Sequence, residues 1–327
     1  MPRLPHSTHA ILLALADGQF QSGEQLARRL GITRAAVWKH VRQLMAMGLV
    51  VVSVPGRGYR LAQSIELLDD MRLRALLAPA CRTSLCSLTV LDTVDSTNTW
   101  LMSRPGDFPA VCLAELQTAG RGRRGRQWIS PFAANLYLSL GWQFDDLPPG
   151  FTALGMVAAI GAVRALHRLH LDGIAIKWPN DLMAAGQKLG GILVDMQGEP
   201  SGRVRAVTGI GINVRMPDAA AARIDQPWTD LARLTHEALP DRNRLAAALI
   251  EELMTALQLF AVRGFAAFAA EWHALDCTVG HAVNLEHQQH TIRGTALGVD
   301  QDGALLLHTE SGTHRFVSGD ISLRVQP

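Results

Sequence analysis

Seven consecutive residues, 120–126, read Gly-Arg-Gly-Arg-Arg-Gly-Arg and bring four guanidinium groups together with three glycines. Glycine lets backbone N–H groups approach a ligand closely, and arginine presents a planar fork of donors that fits phosphate or carboxylate oxygens. The composition therefore predicts an anion-binding loop. Arg/Gly clusters also occur in disordered RNA-binding tails, but those have low-complexity flanks. Here strand-like runs at 110–117 and 135–142 flank the loop, which places it within a folded sheet.

A second group of polar side chains is Asp95-Ser96-Thr97-Asn98, between a strand-like run at 88–92 and the apolar residues 100–102. Small hydroxyl and amide groups at such a position can cap a helix. They can equally hydrogen-bond a neutral polar head group held at the helix N-terminus. Both interpretations stay open on these residues alone.

Charged residues and glycines recur further along the chain. Residues 177–181 read Lys-Trp-Pro-Asn-Asp, which could be only a decorated turn, because Pro-Asn-Asp is common turn chemistry. Lys188 then begins a strand-like run with glycines at 190–191, where glycine indicates the close approach of a ligand or a second backbone. Gly209 and Gly211 are likewise glycines within a strand-like run and lie on one strand face, and we predict that they form the floor of a pocket.

An anion-binding loop, lysines, a carboxylate and amides together suit the nucleotidyl activation of a carboxylate. In that reaction, attack on an α-phosphate is helped mainly by positioning and charge stabilisation. The chain has no G-x-x-x-x-G-K-[ST] phosphate loop and no G-x-G-x-x-G fingerprint at a strand-to-helix turn. These absences argue against a kinase or a dehydrogenase.

Composition narrows the class of protein further. The 327 residues, 48% of them hydrophobic, are enough for two or three domains. No secretion signal is visible, and the apolar run 151–170 is broken by three basic side chains, so we expect a core helix and no membrane span. The cysteines have neither metal-ligand pairing nor a disulfide-rich pattern, which predicts a reducing cytoplasm. They are Cys81, Cys86, Cys112 and Cys277.

A metal site is not expected from the sequence. His287 and His290 have a spacing compatible with a metal, but the polar run around them favours an ordinary hairpin turn. We therefore assign no protein residue as a metal ligand.

Basic charge is concentrated at the amino-terminal end. The net charge is +2, but residues 1–62 contain eight Lys or Arg and two acidic residues, which leaves the remainder near −4. A basic excess confined to one end indicates a nucleic-acid partner at that end.

Residues 22–61 have the pattern of a winged helix-turn-helix. Ser22 and Gln25 have the spacing of a capping box for a helix that ends near Gly31, and Thr33 can cap a second, basic helix. A strand at 49–54, a turn that contains an arginine and a return strand complete the wing. The same pattern fits a small helical protein-interaction module, but the charge imbalance and the arginine at the wing tip favour DNA.

The ordered motifs resemble those of the bacterial biotin-protein ligases. They are Ser96-Thr97-Asn98, the 120–126 loop followed by Trp128, Lys177 to Asp181, Lys188 to Leu193 and Gly209 to Asn213. The runs 22–26, 34–40 and 54–59 resemble the bifunctional kind of ligase that also represses the biotin operon. Each motif is weak alone, but five in order beside a winged helix are highly specific. The resemblance covers nearly the whole chain.

An α+β protein of three domains is what the resemblance implies. It predicts an N-terminal winged helix-turn-helix at 1–64, a central mixed α/β ligase domain of the biotin/lipoate ligase type at 68–274, and a small C-terminal SH3-like β-barrel at 275–327. Glycines that punctuate short β-rich runs after residue 276 agree with the last of these.

A two-step reaction is also implied. Biotin and Mg-ATP would give biotinyl-5′-AMP and pyrophosphate, and the biotinyl group would then pass to one lysine of biotin carboxyl carrier protein, a subunit of acetyl-CoA carboxylase. The implied cofactors are ATP, Mg²⁺ and biotin. The implied partners are the carrier protein, operator DNA and a second copy of the chain when the adenylate is bound, with no membrane partner.

Residue roles follow from the same resemblance. Ser96, Thr97, Asn98 and Gln117 would bind the biotin head group or line its pocket, while Arg121, Gly122 and Arg123 would hold the adenylate phosphate and carboxylate. Trp128 would pack on the adenine. The remaining ligand-binding residues would be Gly209, Gly211 and Asn213, the last near the nucleotide. The catalytic group would be Arg123, Lys177, Asp181 and Lys188. The DNA-binding residues would be Ser22, Thr33, Arg34, Lys39, His40, Arg42 and Arg57.

Three rival functions remain. A biotin-sensing repressor without catalysis is disfavoured by Arg123, Asp181 and Lys188, because sensing needs no pyrophosphate-handling loop. A ligase whose winged helix represses nothing also fits the sequence, since a folded basic helix can bind DNA without a relevant operator. A lipoate ligase has a related fold and chemistry, but the 120–126 loop and the Lys-Trp-Pro-Asn-Asp motif resemble the biotin branch.

Overall fold

Apolar residues at helical spacing form the core of the amino-terminal domain. Val37, Val41 and Leu44 lie on one face of the second helix of the motif and pack against Ile11 and Leu15 of a preceding helix. The computed structural model describes residues 4–104, 106–198, 203–236, 238–287, 290–317 and 321–325. The first elements are α1 (His6–Leu15), α2 (Gly23–Leu30), α3 (Arg34–Ala46), β1 (Val51–Val54) and β2 (Gly58–Leu61). The winged helix-turn-helix is confirmed, with α1 as a helix that the sequence patterns do not predict.

The two predicted helix caps have different outcomes. Thr33 caps α3, because its side-chain oxygen accepts a hydrogen bond of 3.1 Å from the Ala36 backbone N–H. Ser22 occupies the N-cap position of α2 but its side chain makes no capping hydrogen bond, so the predicted capping box is wrong. The chain entering α2 is held instead by backbone hydrogen bonds of 2.8 and 2.9 Å between Gln21 and Tyr59.

A mixed seven-stranded sheet forms the centre of the molecule. Its strand order is β3-β4-β5-β9-β8-β7-β6, in which β3 and β4 are parallel and the other neighbours are antiparallel. The elements of this part are α4 (Asp70–Leu76), α5 (Pro79–Ser84), β3 (Ser87–Leu91), α6 (Thr97–Met102), β4 (Ala110–Ala114), β5 (Leu136–Phe144), α7 (Leu154–Arg168), β6 (Ile174–Lys177), β7 (Asp181–Ala184), β8 (Gln187–Gly198), β9 (Val204–Ile212), α8 (Asp218–Ala221), α9 (Leu231–Leu234), α10 (Arg242–Arg263) and α11 (Ala269–Leu275).

The two faces of this sheet differ in composition: one is apolar and packs on helices, and the other carries small residues. The strand-like run at 135–142 forms β5, whose Leu136, Leu138 and Leu140 alternate onto one face and there join Ile210 and Ile212 in the core shared with α7 and α10. The opposite face carries Ser139 and the glycines of β9. The apolar side chains therefore anchor the sheet on its helices and leave the small residues facing the other way.

Helix α7 is a core helix, as predicted for the apolar run 151–170. Among the described residues, α10 alone is long and apolar enough to cross a membrane by length and composition. However, 61% of its apolar window is buried inside the protein, where it packs on α7. Burial on a neighbouring helix accounts for its apolar character.

A five-stranded antiparallel sheet of order β13-β12-β11-β10-β14 follows. Its strands are β10 (Ala282–His287), β11 (His290–Val299), β12 (Leu305–Thr309), β13 (Gly312–Phe316) and β14 (Ile321–Val325). The small C-terminal β domain is thus confirmed. Val283, Leu285 and Leu305 belong to the same buried cluster as the central sheet, so the two domains share a core. The predicted turn between His287 and His290 falls on residues 288 and 289, outside the described residues.

A buried charged pair ties the linker after the wing to the central domain. Glu115 accepts hydrogen bonds from the Leu68 backbone N–H (2.5 Å) and from Arg242 Nη2 (2.9 Å), and both side chains are at most 6% exposed. Arg242 Nη1 also donates to the Glu66 carbonyl at 2.5 Å. Phe132 joins the core of the winged helix from the central domain. The charged pair therefore fixes the linker, and packing of Phe132 fixes the amino-terminal domain. The exact domain boundaries stay a prediction.

Candidate active site

A cavity of about 1040 Å³ lies over the small-residue face of the central sheet. Every residue that the sequence assigns to ligand binding or catalysis lines it. They are Ser96, Thr97, Asn98, Gln117, Arg121, Gly122, Arg123, Trp128, Lys177, Asp181, Lys188, Gly209, Gly211 and Asn213. The fold thus brings together side chains that are more than 100 positions apart in the sequence.

The first turn of α6 forms one end of the cavity. Ser96 is the N-cap residue but makes no capping hydrogen bond through its side chain. The side-chain oxygen Oε1 of Gln117 accepts hydrogen bonds from the Thr97 backbone N–H (3.0 Å) and hydroxyl (3.2 Å), and Gln117 Nε2 donates to Ser130 Oγ at 3.0 Å. Gln117 therefore satisfies the helix start in place of Ser96. This leaves the buried Ser96 hydroxyl at the cavity, where a neutral polar group can bind.

Asn98 is held entirely by the protein. Its Nδ2 donates to the Leu193 carbonyl (3.1 Å) and to Asp195 Oδ2 (3.0 Å), and its Oδ1 lies 2.6 Å from the Ser139 hydroxyl. Both amide hydrogens are used, so Asn98 lines the pocket and orients its neighbours rather than offering a free donor.

Gly209 and Gly211 form the predicted floor, and other side chains lie directly on it. A Cβ atom at Gly209 would stand 2.2 Å from Asn98 Oδ1, and one at Gly211 would stand 2.5 Å from Trp128 Nε1. No residue with a side chain fits at either position without a shift of its neighbour. Glycine is therefore required for close packing, as the strand pattern predicts.

The arginine loop is folded back on itself. The backbone N–H of Trp128 donates to the Gly120 carbonyl at 2.9 Å, and the backbone N–H of Gly122 donates to the Arg126 carbonyl at 2.7 Å. A short 3₁₀ turn lies between them at Arg123–Gly125. Its arginines reach three different elements. Arg121 forms an ion pair with Asp195 on β8, Arg123 Nη1 donates to Asn180 Oδ1 at 3.0 Å, and Arg124 lies 3.1 Å from Glu286 of β10. The loop thus connects the sheet, the Lys-Trp-Pro-Asn-Asp turn and the C-terminal domain.

Two lysines share one carboxylate at the other end of the cavity. Lys188 Nζ is 2.6 Å from Asp181 Oδ1, and Lys177 Nζ is 3.2 Å from Asp181 Oδ2. Burial alone would raise the pKa of Asp181, but the charges of Lys188 and Lys177 and their hydrogen bonds outweigh it and hold that pKa below its ordinary value. A carboxylate in this state is a weak base at neutral pH, so Asp181 orients the lysines rather than removing protons.

The cavity is strongly cationic. Among the described residues that line it, the carboxylates are those of Asp181 and Asp225, and the basic side chains are Arg121, Arg123, Arg124, Arg126, Lys177, Lys188 and Arg223. Arg121 and Arg124 are paired with Asp195 and Glu286, which lie outside this lining, and the remaining balance of charge is still positive. The indole Nε1 of Trp128 is buried and has no hydrogen-bond partner. An unpartnered donor beside excess positive charge is the environment that an anionic ligand with polar acceptors would complete.

Several residues of the site are absent from the sequence-based assignment. Ser139 on β5 and Asp195 on β8 contact Asn98 from the sheet, and Trp228 lines the cavity from the loop before α9. Asp195 could have been found, because it continues the pocket-facing alternation of Gly191 and Leu193 on β8. Trp228 has no local signal, since it reaches the site through a backbone bridge to Lys188.

The predicted DNA-binding residues lie together on the separate amino-terminal domain. Arg34, Lys39 and Arg42 are exposed on α3, and Arg57 is exposed in the wing turn, 4.1 Å above the Phe20 ring. His40 differs from them. Its Nδ1 lies 2.8 Å from Thr8 Oγ1 and 3.1 Å from Gln43 Oε1, so contacts with α1 and α3 hold this half-buried ring in place.

Comparison with known families defines the class of protein. Residues 90–213 match the biotin/lipoate A/B protein ligase family, residues 8–60 match a helix-turn-helix domain, and residues 278–324 match the biotin protein ligase C-terminal domain. The fold and the cavity therefore belong to a biotin-protein ligase that carries a DNA-binding domain.

Relatives extend this likeness over nearly the whole chain. The bifunctional ligase/repressor BirA of Salmonella typhimurium is 41% identical over 318 residues and that of Escherichia coli is 40% identical over 316, with 96% of each chain covered. The biotin protein ligase of Aquifex aeolicus, solved in complex with biotin and ATP, has a TM-score of 0.64 and 27% identity, covering 74% of this chain and all of its own. The chain belongs to the family of bifunctional biotin-protein ligase/repressors.

Proposed function

We propose that this protein joins biotin to ATP to form biotinyl-5′-AMP, transfers the biotinyl group to a lysine of a biotin carrier domain, and represses transcription at an operator. The observation that carries the proposal is the cationic cavity. It combines a neutral end with hydroxyl and amide groups at α6 and a cationic end at the 120–126 loop. Biotinyl-5′-AMP has the matching polarity, with an uncharged ureido ring and a phosphate.

The neutral end would bind the biotin head group. The Ser96 hydroxyl and the second N–H of Gln117 Nε2 are available to the ligand, while Thr97 and Asn98 hold the shape of the pocket. The glycines of β9 let Asn98 and Trp128 pack close to the sheet, which leaves the space beside them for the bicyclic ring. A site that hydrogen-bonds a ureido group rejects an analogue without one, because its buried polar groups would be left unpaired.

The cationic end would stabilise the reacting groups. A biotin carboxylate oxygen attacks the α-phosphorus of ATP, and the bond from that phosphorus to pyrophosphate breaks. Arg121, Arg123 and Lys188 would stabilise the charge that develops on these oxygens. In the second step, the amine of the acceptor lysine attacks the biotinyl carbonyl and AMP leaves. Asp181 would accept a hydrogen bond from that amine.

Magnesium would arrive with the nucleotide. Among the described residues no group of three or more His, Cys, Asp or Glu side chains could hold a metal ion. Asp181 is already shared by two lysines. Mg²⁺ commonly keeps several waters and is bound through substrate phosphates, so we assign it to Mg-ATP as substrate.

ATP–pyrophosphate exchange tests the ligase proposal. Purified protein should exchange labelled pyrophosphate into ATP only when biotin is present, and lipoate should not replace biotin. Exchange with lipoate would move the protein to the lipoate branch. Biotin binding without exchange would instead indicate a sensor.

The repressor role depends on the basic face of α3. Arg34 and Lys39 are exposed and removed from the cavity, so replacing both with alanine should weaken binding to biotin-operon upstream DNA and spare biotin-dependent exchange. If each contacts a phosphate, the slope of log affinity against log salt should fall by roughly 2. Fluorescence anisotropy with labelled DNA measures both quantities.

A matched control removes two cations elsewhere. Arg82→Ala with Arg203→Ala changes the net charge equally, on exposed positions of the central domain. It should leave DNA affinity unchanged. Equal loss of affinity in both variants would mean that general charge, and not α3, determines binding.

Dimer formation in the adenylate-bound state and a cytoplasmic location complete the proposal. Strand β7 pairs with β8 as far as Gly191, so among the described residues the rest of that β8 edge has no β7 partner and could pair with a second copy. Sedimentation velocity with biotin and ATP should then reveal a dimer that is absent without them.

A further inference from the structure

A chain of polar contacts runs beside the cavity, from Trp128 just after the 120–126 loop to Arg121 within it. Ser130 Oγ donates to the Trp128 carbonyl at 3.0 Å and accepts from Gln117 Nε2 at 3.0 Å. Gln117 contacts Thr97, whose hydroxyl lies 2.7 Å from Ser139 Oγ, and Ser139 lies 2.6 Å from Asn98. Asn98 then donates to Asp195, which pairs with Arg121 of the loop.

In this run of polar contacts, Asp195 connects Asn98, at the α6 end of the site, to Arg121 of the 120–126 loop. It lies on β8 opposite Val207, on the face that carries Gly191 and Leu193. Its Oδ2 accepts a hydrogen bond of 3.0 Å from Asn98 Nδ2 and also binds Arg121 Nη2, while its Oδ1 lies 3.4 Å from Arg121 Nη1. The carboxylate thus fixes a forked guanidinium at the rim of the cavity and an amide at its base.

The remaining donors of Arg121 stay available to a ligand. A guanidinium has five N–H groups, and the carboxylate of Asp195 engages two of its nitrogens. Arg121 is 44% exposed and lines the cavity, so without Asp195 this long side chain would sample many rotamers. Pre-orienting a cation before charge develops is how such groups contribute to catalysis.

We infer that Asp195 is a positioning residue for the adenylation step, which acts through Arg121 on the anionic groups and through Asn98 on the head-group pocket. The inference rests on the proposed ligase function. Asp195 takes no proton and forms no bond in the reaction. It sets where Arg121 stands when the biotin carboxylate attacks the α-phosphorus and pyrophosphate leaves.

Asp195→Asn separates the two contacts. Asparagine keeps the size of the side chain and an oxygen that can accept from Asn98, but it loses the charge that holds Arg121. Biotin-dependent ATP–pyrophosphate exchange should therefore show kcat reduced about tenfold or more, with the KM for biotin within about threefold of wild type. Asp195→Ala loses both contacts, so its KM for biotin should rise as well. Asp195→Glu keeps the charge and should recover part of kcat.

A double-mutant comparison tests whether Asp195 affects kcat through Arg121. If Asp195 acts through Arg121, Asp195→Asn should lower kcat little further in an Arg121→Ala background. Independent, multiplying losses would overturn the inference, as would a wild-type kcat in Asp195→Asn. If Asp195→Asn does not fold, the KM and kcat of Asp195→Glu decide in its place. Wild-type protein without exchange refutes the proposed function and the inference together, whereas normal wild-type exchange with an unaffected Asp195→Asn refutes the inference alone.

Discussion

Replacing Gly211 with alanine tests whether the glycine floor positions Trp128. The new Cβ would stand 2.5 Å from both Nε1 and Cε2 of the indole. Ordinary contacts begin at 3.4 Å, so the ring must move by about 0.9 Å, and overpacking of this kind costs about 1–3 kcal/mol. We expect the free energy of unfolding to fall by that amount. We also expect the KM for ATP to rise at least about fivefold, because the indole of Trp128, which the family resemblance assigns to packing on the adenine, moves.

Gly191→Ala is the matched control. Gly191 is the direct partner of Gly211 in the β8–β9 register and faces the same cavity, but a Cβ there meets no atom closer than 3.4 Å. Both substitutions change the entropy of the unfolded chain equally, so their difference isolates the clash. We expect Gly191→Ala to lie within about 0.5 kcal/mol of wild type. Denaturant unfolding and steady-state exchange kinetics measure the two effects.

Removing the ring supplies the decisive comparison. In a Trp128→Ala background, Gly211→Ala meets no indole, so its stability cost should vanish. Equal costs of Gly211→Ala with and without the indole would refute the reasoning. Equal behaviour of the Gly211 and Gly191 variants would do the same.

Two further predictions concern charged pairs. Glu115→Ala should lower the free energy of unfolding by about 3–5 kcal/mol in guanidinium denaturation, because it leaves Arg242 buried without its carboxylate. Asp145→Ala is the control, since it breaks an ion pair whose side chains are more than 70% exposed, and it should change the free energy of unfolding by less than about 1 kcal/mol. An equal effect of both would contradict this. Asp181 has a lowered folded-state pKa, so its ionised form stabilises the fold at pH values above its unfolded pKa, near 3.8, and this contribution is lost as the pH falls through the lower folded value. The stability difference between wild type and Asp181→Asn should therefore be constant between pH 5 and 8 and shrink below about pH 4; a difference that changes near neutral pH would show that the lysines do not hold this carboxylate ionised.

Local chemistry accounts for the predictions that the structure confirms. The alternation of Leu136, Leu138 and Leu140 predicts a strand with one core face, and the structure has it. Gly209 and Gly211 stand where a side chain would collide, which is what glycine at period two in a strand indicates. Such signals work because each depends on residues only two positions apart.

Local spacing does not identify the partner of a helix start where several groups can hydrogen-bond it. Ser22 has the right spacing for a capping box, but backbone pairing of Gln21 with Tyr59 fixes the start of α2 without it. The sequence leaves Ser96 open between a helix cap and a ligand contact, and in the structure the side chain of Gln117 bonds to Thr97 at the helix start instead. Propensity describes what a side chain can do, and tertiary contacts decide what it does.

The sequence by itself determined the class of protein, the Arg/Gly loop at 120–126 and the residues that line the cavity, because residue type and order carry that chemistry. Only the tertiary structure decided how they are held. Asp195 joins Asn98 to Arg121, Asn180 holds Arg123, and Asp181 lies between Lys177 and Lys188. The first two of these links join residues far apart in the sequence, and all depend on the register of the central sheet. No local pattern encodes that register, since it results from the packing of the whole sheet on α7 and α10.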